Sequence, residues 1–148
     1  MDTGKPSLVF LQYLTSVFDN IADGIVLISI GPQDEYRLAM ANRPFYTFSG
    51  YPEDSAGKKL CEIASPDSSV FVARQFKKVI KYKRPTDYLR WADVPIGYRA
   101  FDVRLVPILG ITGDVVQIAC ILHDATEREQ MRAEISHLRE TVRGIRHS

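Results

Sequence analysis

The chain changes character within residues 115–145, which read VVQIACILHDATEREQMRAEISHLRETVRGI. Residues 115–122 form an apolar run rich in β-branched side chains, which predicts a buried strand. A densely charged segment follows with no intervening loop and predicts a helix. Asp124 and Thr126 stand at the joint, where their oxygens can accept hydrogen bonds from free N–H groups of the first helical turn, and Thr126 and Glu129 have capping-box spacing. A strand should therefore pass directly into a long helix.

Apolar residues in this last helix repeat at spacings of 4, 3, 4 and 3. That is a heptad seam, and we expect it to join a second copy of the chain or another partner as a coiled coil. The alternative is a single amphipathic helix folded onto the sheet, which usually has a wider apolar stripe. The heptad seam consists of Met131, Ile135, Leu138, Val142 and Ile145.

The remaining patterns alternate between helices and strands. A first helix, capped by Ser7, repeats apolar residues from Phe10 to Ile21 and should end at Asp23-Gly24 with glycine as a left-handed cap. Two strands follow as a hairpin, with Tyr36, Leu38 and Met40 on one face. A helix should then begin at Asn42-Arg43-Pro44 and be followed by short helical turns. A longer helix from Asp67, ended by Pro85, and three strands complete the order. This order predicts an α+β fold, a five-stranded antiparallel sheet with helices on one face.

Composition limits the functional classes. The 148 residues are 45% hydrophobic and 25% charged, with a net charge of +1, so the electrostatics favour neither nucleic acid nor an anionic membrane as a partner. The sequence has neither a bilayer-spanning apolar run nor a signal-peptide pattern, which predicts a cytoplasmic location. Cys61 and Cys120 make neither a disulfide framework nor a four-ligand zinc site.

Three local strings in this order resemble the PAS domain family. IADGIVLI is similar to its helix-to-first-strand entry, and HDATERE to its terminal D-x-T-E-R motif, through Asp124, Thr126, Glu127 and Arg128. Between them, AMANRPFYTFSGYPEDSAGKKL is similar to the stretch N-x-x-F-x-x-x-[ST]-G-Y-x-x-x-x-x-G-x-x-L. The matching residues of that stretch are Asn42, Phe45, Ser49, Gly50, Tyr51, Gly57 and Leu60.

The resemblance implies a sensor module rather than an enzyme. It implies an N-terminal flanking helix over 1–22, a PAS core over 23–125 and a signalling helix over 126–148. A ligand would bind between the sheet and the central helices, and Asp124, Thr126 and Arg128 would couple it to the last helix. That helix would pass the signal to an output domain such as a histidine kinase, as in two-component systems, or a cyclase. The alternative is a ligand-free interaction module of the same family, and a third reading is a small α+β enzyme.

The cofactor is unknown from sequence, but two kinds are disfavoured. Flavin photoreceptors of this superfamily carry a cysteine in an Asn-Cys-Arg-Phe-type string, whereas Cys61 lies in GKKLCEIASPD. Haem-binding members usually offer a histidine from the central helix, and residues 67–84 contain none, since the three histidines are His123, His137 and His147. No metal site is predicted either, because adjacent His123 and Asp124 point to opposite faces of a strand.

Aromatic residues supply the candidates for a ligand pocket. The chain has seven Phe, seven Tyr and one Trp, and an arginine turned inward, at position 90 or 104, would suit a carboxylate. Core filling is the plain alternative for the aromatics, and the solvent face for the arginines. The predicted pocket residues are Phe76, Tyr88, Trp91, Phe101 and Arg104.

Overall fold

A computed structural model describes residues 8–146 of the chain, apart from the side chains of residues 10, 11 and 13–15. The helices are α1 (Leu8–Asn20), α2 (Arg43–Ser49), α3 (Leu60–Ile63), α4 (Pro66–Tyr82) and α5 (Thr126–Arg146). The strands are β1 (Gly24–Gly31), β2 (Glu35–Ala41), β3 (Thr86–Val94), β4 (Gly97–Leu109) and β5 (Val115–Asp124). Ser7 and the side chains of Phe10 and Leu14 lie outside the described part, so their predicted roles stay predictions.

The five strands form one antiparallel sheet in the order β2-β1-β5-β4-β3. The last strand pairs with both the first and the fourth, so β5 lies in the middle of the sheet and α5 leaves from its centre. α2, α3 and α4 lie over the face that carries the buried side chains of β1, β4 and β5. The predicted α+β fold is confirmed.

Helix α2 begins where the sequence predicts. The fully buried Asn42 side chain accepts hydrogen bonds from the N–H groups of Phe45 (3.2 Å) and Ile25 (2.9 Å) and donates to the carbonyls of Phe18 and Asp23. Capping explains only the first bond. The other three tie α1, β1 and α2 together, so this one amide fixes the packing of three elements.

Two local predictions are wrong. Gly24 is the first residue of β1 rather than a left-handed cap; a Cβ there would lie 3.2 Å from the Phe45 Cα and against the Phe48 ring, so the glycine serves close packing. Met40 does not share a face with Tyr36 and Leu38. The β1–β2 register shifts between Leu27 and Ile28, and this bulge leaves Met40 46% exposed while the other two are buried.

Candidate functional site: an internal cavity and a strand-to-helix joint

A cavity of about 150 Å³ lies between the sheet and helices α2–α4. Its walls are mostly apolar. The cavity is only partly enclosed: it adjoins a groove on the protein surface, and four residues line both. The four shared residues are Ser68, Arg90, Ala92 and Asp93. The volume is well below the roughly 300–1,000 Å³ of sites for drug-sized ligands, so it suits a compact molecule.

Three of the five predicted pocket residues line this cavity: Phe76, Tyr88 and Phe101. Trp91 and Arg104 do not, which corrects their placement. Trp91 stacks on Tyr98 with ring centroids 5.2 Å apart, and Arg104 is exposed and lies 3.3 Å from Asp87. Both placements follow from the pleat of a strand, on which residues an odd number of positions apart point to opposite faces. Trp91 lies three residues after Tyr88, and Arg104 lies three residues after Phe101.

Arg90, the other arginine considered, does face the cavity. Its guanidinium carbon lies 3.9 Å from the centroid of the Phe71 ring of α4. Its Nε is buried, and the guanidinium makes no hydrogen bond or ion pair with any side chain or backbone group that the structure describes. A buried charged donor without an acceptor is costly, so this group marks where a polar ligand atom would be stabilised.

Tyr88 precedes Arg90 on the same face of β3 and packs edge-on against Phe71 at 5.3 Å. Burial, and to a smaller extent Cys120, raises the pKa of the Tyr88 phenol, while the charge of Arg90 lowers it in part. The hydroxyl is therefore protonated at neutral pH and can donate. It has no hydrogen-bond partner within the described range.

The two cysteines differ in setting. Cys120 lines the cavity, and burial raises its pKa to about 12, so it stays a neutral thiol at physiological pH. Cys61 is exposed on α3 and is not part of the cavity wall. Of the histidines, His123 lies on the outer side of β5 with Nδ1 2.9 Å from an Asp23 carboxylate oxygen, and His137 is exposed on α5.

The joint between β5 and α5 is held by hydrogen bonds that run back to β4. One Asp124 carboxylate oxygen accepts from the Thr126 N–H (3.0 Å) and from the Thr126 hydroxyl (2.6 Å). The Ala100 N–H donates to the Thr126 hydroxyl oxygen at 3.0 Å, and the Ala100 carbonyl accepts from the Ala125 N–H at 2.9 Å. Thr126 thus binds a neighbouring strand rather than the N–H of Glu129, which corrects the predicted capping box.

Arg128 adds a second tie to β4. Its two terminal nitrogens donate to the two carboxylate oxygens of Asp102, one at 2.9 Å. This fork-to-fork geometry fixes orientation as well as distance. Arg128 holds the pKa of Asp102 below its usual range, chiefly through these hydrogen bonds. All three predicted coupling residues therefore lie at the joint: the Thr126 and Arg128 side chains bind β4, and Asp124 pairs with Phe101 of β4 in the sheet.

The heptad seam lies beyond this joint and faces solvent. Its members are 50–68% exposed, and residues 130–146 are exposed throughout. The predicted alternative, a helix folded back onto the sheet, is therefore wrong for α5 in this structure. None of the helices in the described range, residues 8–146, is both long and apolar enough to cross a membrane.

Comparison with solved structures finds the same fold. An RNA-binding Light-Oxygen-Voltage receptor matches 100% of this chain at 17% identity with a TM-score of 0.72, and this chain spans only 42% of that receptor. A PAS domain from Colwellia psychrerythraea matches 80% of this chain at 19% identity with a TM-score of 0.64, over 98% of its own length.

A third structure comes from a larger signalling protein. The sensory box histidine kinase/response regulator from Burkholderia thailandensis E264 matches 90% of this chain and 97% of its own length, at 18% identity with a TM-score of 0.57. At these identities the likeness concerns the fold. A search of curated proteins gave no match.

A family model described as PAS domain matches residues 12–81, from α1 to the end of α4. The β3–β5 strands that follow complete the sheet shared with the PAS structures. The chain therefore contains a PAS domain.

Proposed function

We propose that this chain is the sensory part of a cytoplasmic signalling protein. A small molecule binds in the internal cavity, and α5 passes the change to a covalently linked output domain, such as a histidine kinase or a cyclase. The chain itself carries no catalytic step in this proposal. The Burkholderia structure, named as a sensory box histidine kinase/response regulator, supports that context.

One observation carries the proposal: a single segment of β4 contacts both the cavity and the root of α5. Phe101 lines the cavity, whereas the residues on either side of it, Ala100 and Asp102, bind Thr126 and Arg128. A ligand that displaces the Phe101 ring must shift the strand that holds the helix. Because protein interiors are close-packed, such a displacement is transmitted rather than absorbed.

Native and denaturing mass spectrometry of the purified chain tests binding. Extra mass that is lost on denaturation identifies a ligand, and hydrogen exchange with and without it should then change at the amides of α5 nearest the joint. A dimer that carries no adduct, and that binds none of the small molecules added to it, would instead favour the ligand-free interaction module.

Asp124→Ala tests the coupling role of the joint. The substitution removes the acceptor for two Thr126 bonds, and Asp124 does not itself line the cavity, although its backbone pairs with Phe101. We expect ligand affinity within about two-fold of the unmodified chain and loss of the ligand-dependent exchange change in α5. Asp54→Ala, on an exposed turn distant in sequence, is the control. Unaltered coupling in Asp124→Ala would remove the joint from the mechanism.

The exposed heptad seam fits a second copy of this chain. Five apolar residues in strict heptad spacing present to water the stripe that a parallel coiled coil buries. Leu138→Asp should give a folded monomer, because an acid in the seam must be desolvated on association. Ser136→Asp adds the same charge outside the seam and should leave the dimer intact in sedimentation equilibrium. A dimer in Leu138→Asp would move the interface elsewhere.

A further inference from the structure

The cavity wall has a marked asymmetry in its polar groups. The Ser49 hydroxyl is satisfied within the chain, since it donates to the Phe45 carbonyl at 2.6 Å and accepts from the Tyr51 N–H. The Tyr88 hydroxyl and the buried Arg90 Nε–H are donors for which the described groups supply no acceptor. Both come from one face of one strand. The cavity wall therefore offers these two donors from one strand, while the Tyr51 and Ser68 side chains add hydroxyl groups and most of the remaining lining is apolar.

Among the described residues that line the cavity, Arg90 is also the only basic one. The one acidic lining residue is Asp93, which is exposed and makes no ion pair with Arg90 within 4.0 Å. The charge of Arg90 thus has the Phe71 ring beside it but no carboxylate. A ligand carboxylate would supply both the missing acceptor and the missing counter-charge.

We propose that the cavity binds a compact monocarboxylate with an aryl or short alkyl body, its carboxylate held by Arg90 and Tyr88. This inference rests on the proposed function and specifies its ligand class. An apolar cavity of similar size, about 150 Å³, binds benzene in another protein, so a single ring or a short chain fits. Arg90 also lines the surface groove, so the carboxylate would sit at the cavity mouth with the apolar body inward.

Titration calorimetry of the full chain with benzoate, hexanoate, benzamide and toluene tests the class. Benzamide keeps the shape and carbonyl of benzoate but lacks its charge. Because hydrogen bonds to charged groups are worth more than neutral ones, benzoate or hexanoate should bind at least about ten-fold more tightly than benzamide. Benzamide or toluene binding as tightly as both acids overturns the inference and leaves the proposed sensor function standing. No binding by any of the four, with no co-purified adduct, contradicts both.

Substitutions locate the carboxylate. Arg90→Gln should weaken acid binding about ten-fold and leave benzamide within about two-fold, and Tyr88→Phe should weaken acid binding by a smaller factor. Arg104→Gln removes an exposed arginine of β4 that lies outside the cavity and should change neither affinity. Unchanged acid affinity in folded Arg90→Gln overturns the inference. If that variant fails to fold, by circular dichroism, the benzoate–benzamide comparison and Tyr88→Phe decide.

Discussion

Strand β5 and helix α5 are consecutive in the chain, yet their apolar residues meet opposite environments. Ile118 is fully buried and Cys120 is 6% exposed, whereas Ile135 and Leu138 in α5 are 50% and 57% exposed. The interior of this chain accounts for the apolar residues of β5 but not for those of α5. A strand that is paired on both sides leads into a helix whose apolar stripe is exposed in the described structure, so the joint between them fixes the direction in which that helix leaves the sheet.

The same substitution at two isoleucines should give the largest contrast. Ile118→Ala empties a packed site in the centre of the sheet, and we expect it to reduce the free energy of unfolding by about 2–5 kcal/mol. Ile135→Ala should stay within about 0.5 kcal/mol for the monomer, because the side chain is already in water. Urea denaturation of both variants, in dilute monomeric samples, measures the difference. Similar losses would mean that α5 packs on its own domain.

A threonine-to-valine pair tests the joint itself. Thr126→Val keeps the shape but leaves the buried Ala100 N–H without its acceptor, and should cost about 1–3 kcal/mol. Thr141→Val removes an exposed hydroxyl that only bonds the His137 carbonyl one turn earlier, and should be near neutral. Thermal unfolding of the two variants gives the comparison. If Thr126→Val is neutral, the tie between α5 and β4 does not depend on this hydroxyl.

The sequence predicted β5, α5 and the residues of the joint because each has a local signal: an apolar run, a heptad seam and a helix-capping motif. It did not predict what the joint contacts. The Arg128–Asp102 pair and the Thr126–Ala100 bonds each span 26 residues, and they depend on β4 lying beside β5. No short-range pattern carries that information.

The hydrophobic pattern of the sequence identifies the cavity-facing side of β4 but not that of β3. On β4, alternation of Phe101, Val103 and Leu105 with polar residues identifies the inner face, and the structure buries all three. On β3 hydrophobicity favours the wrong face, since Leu89 and Trp91 are more apolar than Tyr88 and Arg90. The pairing of Tyr88 with Val103 and of Arg90 with Phe101 decides the matter, and register is set by tertiary structure.

The smallest expected effect concerns the Asp102–Arg128 pair and its dependence on pH. The folded-state pKa of Asp102 is lowered, chiefly by hydrogen bonds from Arg128. The pair therefore contributes stability that is present above the unfolded pKa of about 3.9 and is lost as pH falls through the folded value. Both side chains are about 40% exposed, at 43% and 40%, so solvent screening limits the contribution to below about 1 kcal/mol.

Asp102→Asn should accordingly lower the free energy of unfolding slightly at neutral pH, and the gap to the unmodified chain should close at acid pH, as the pH falls through the lowered pKa of Asp102. In an Arg128→Gln background the same substitution should have no such pH dependence, since the cause of the shift is gone. Urea denaturation of the four proteins at both pH values completes the cycle. A gap that is constant with pH would mean that Arg128 is not bound to β4 in solution. In that case the hydrogen bonds of Ala125 and Thr126 to Ala100 would hold the root of α5 to the sheet.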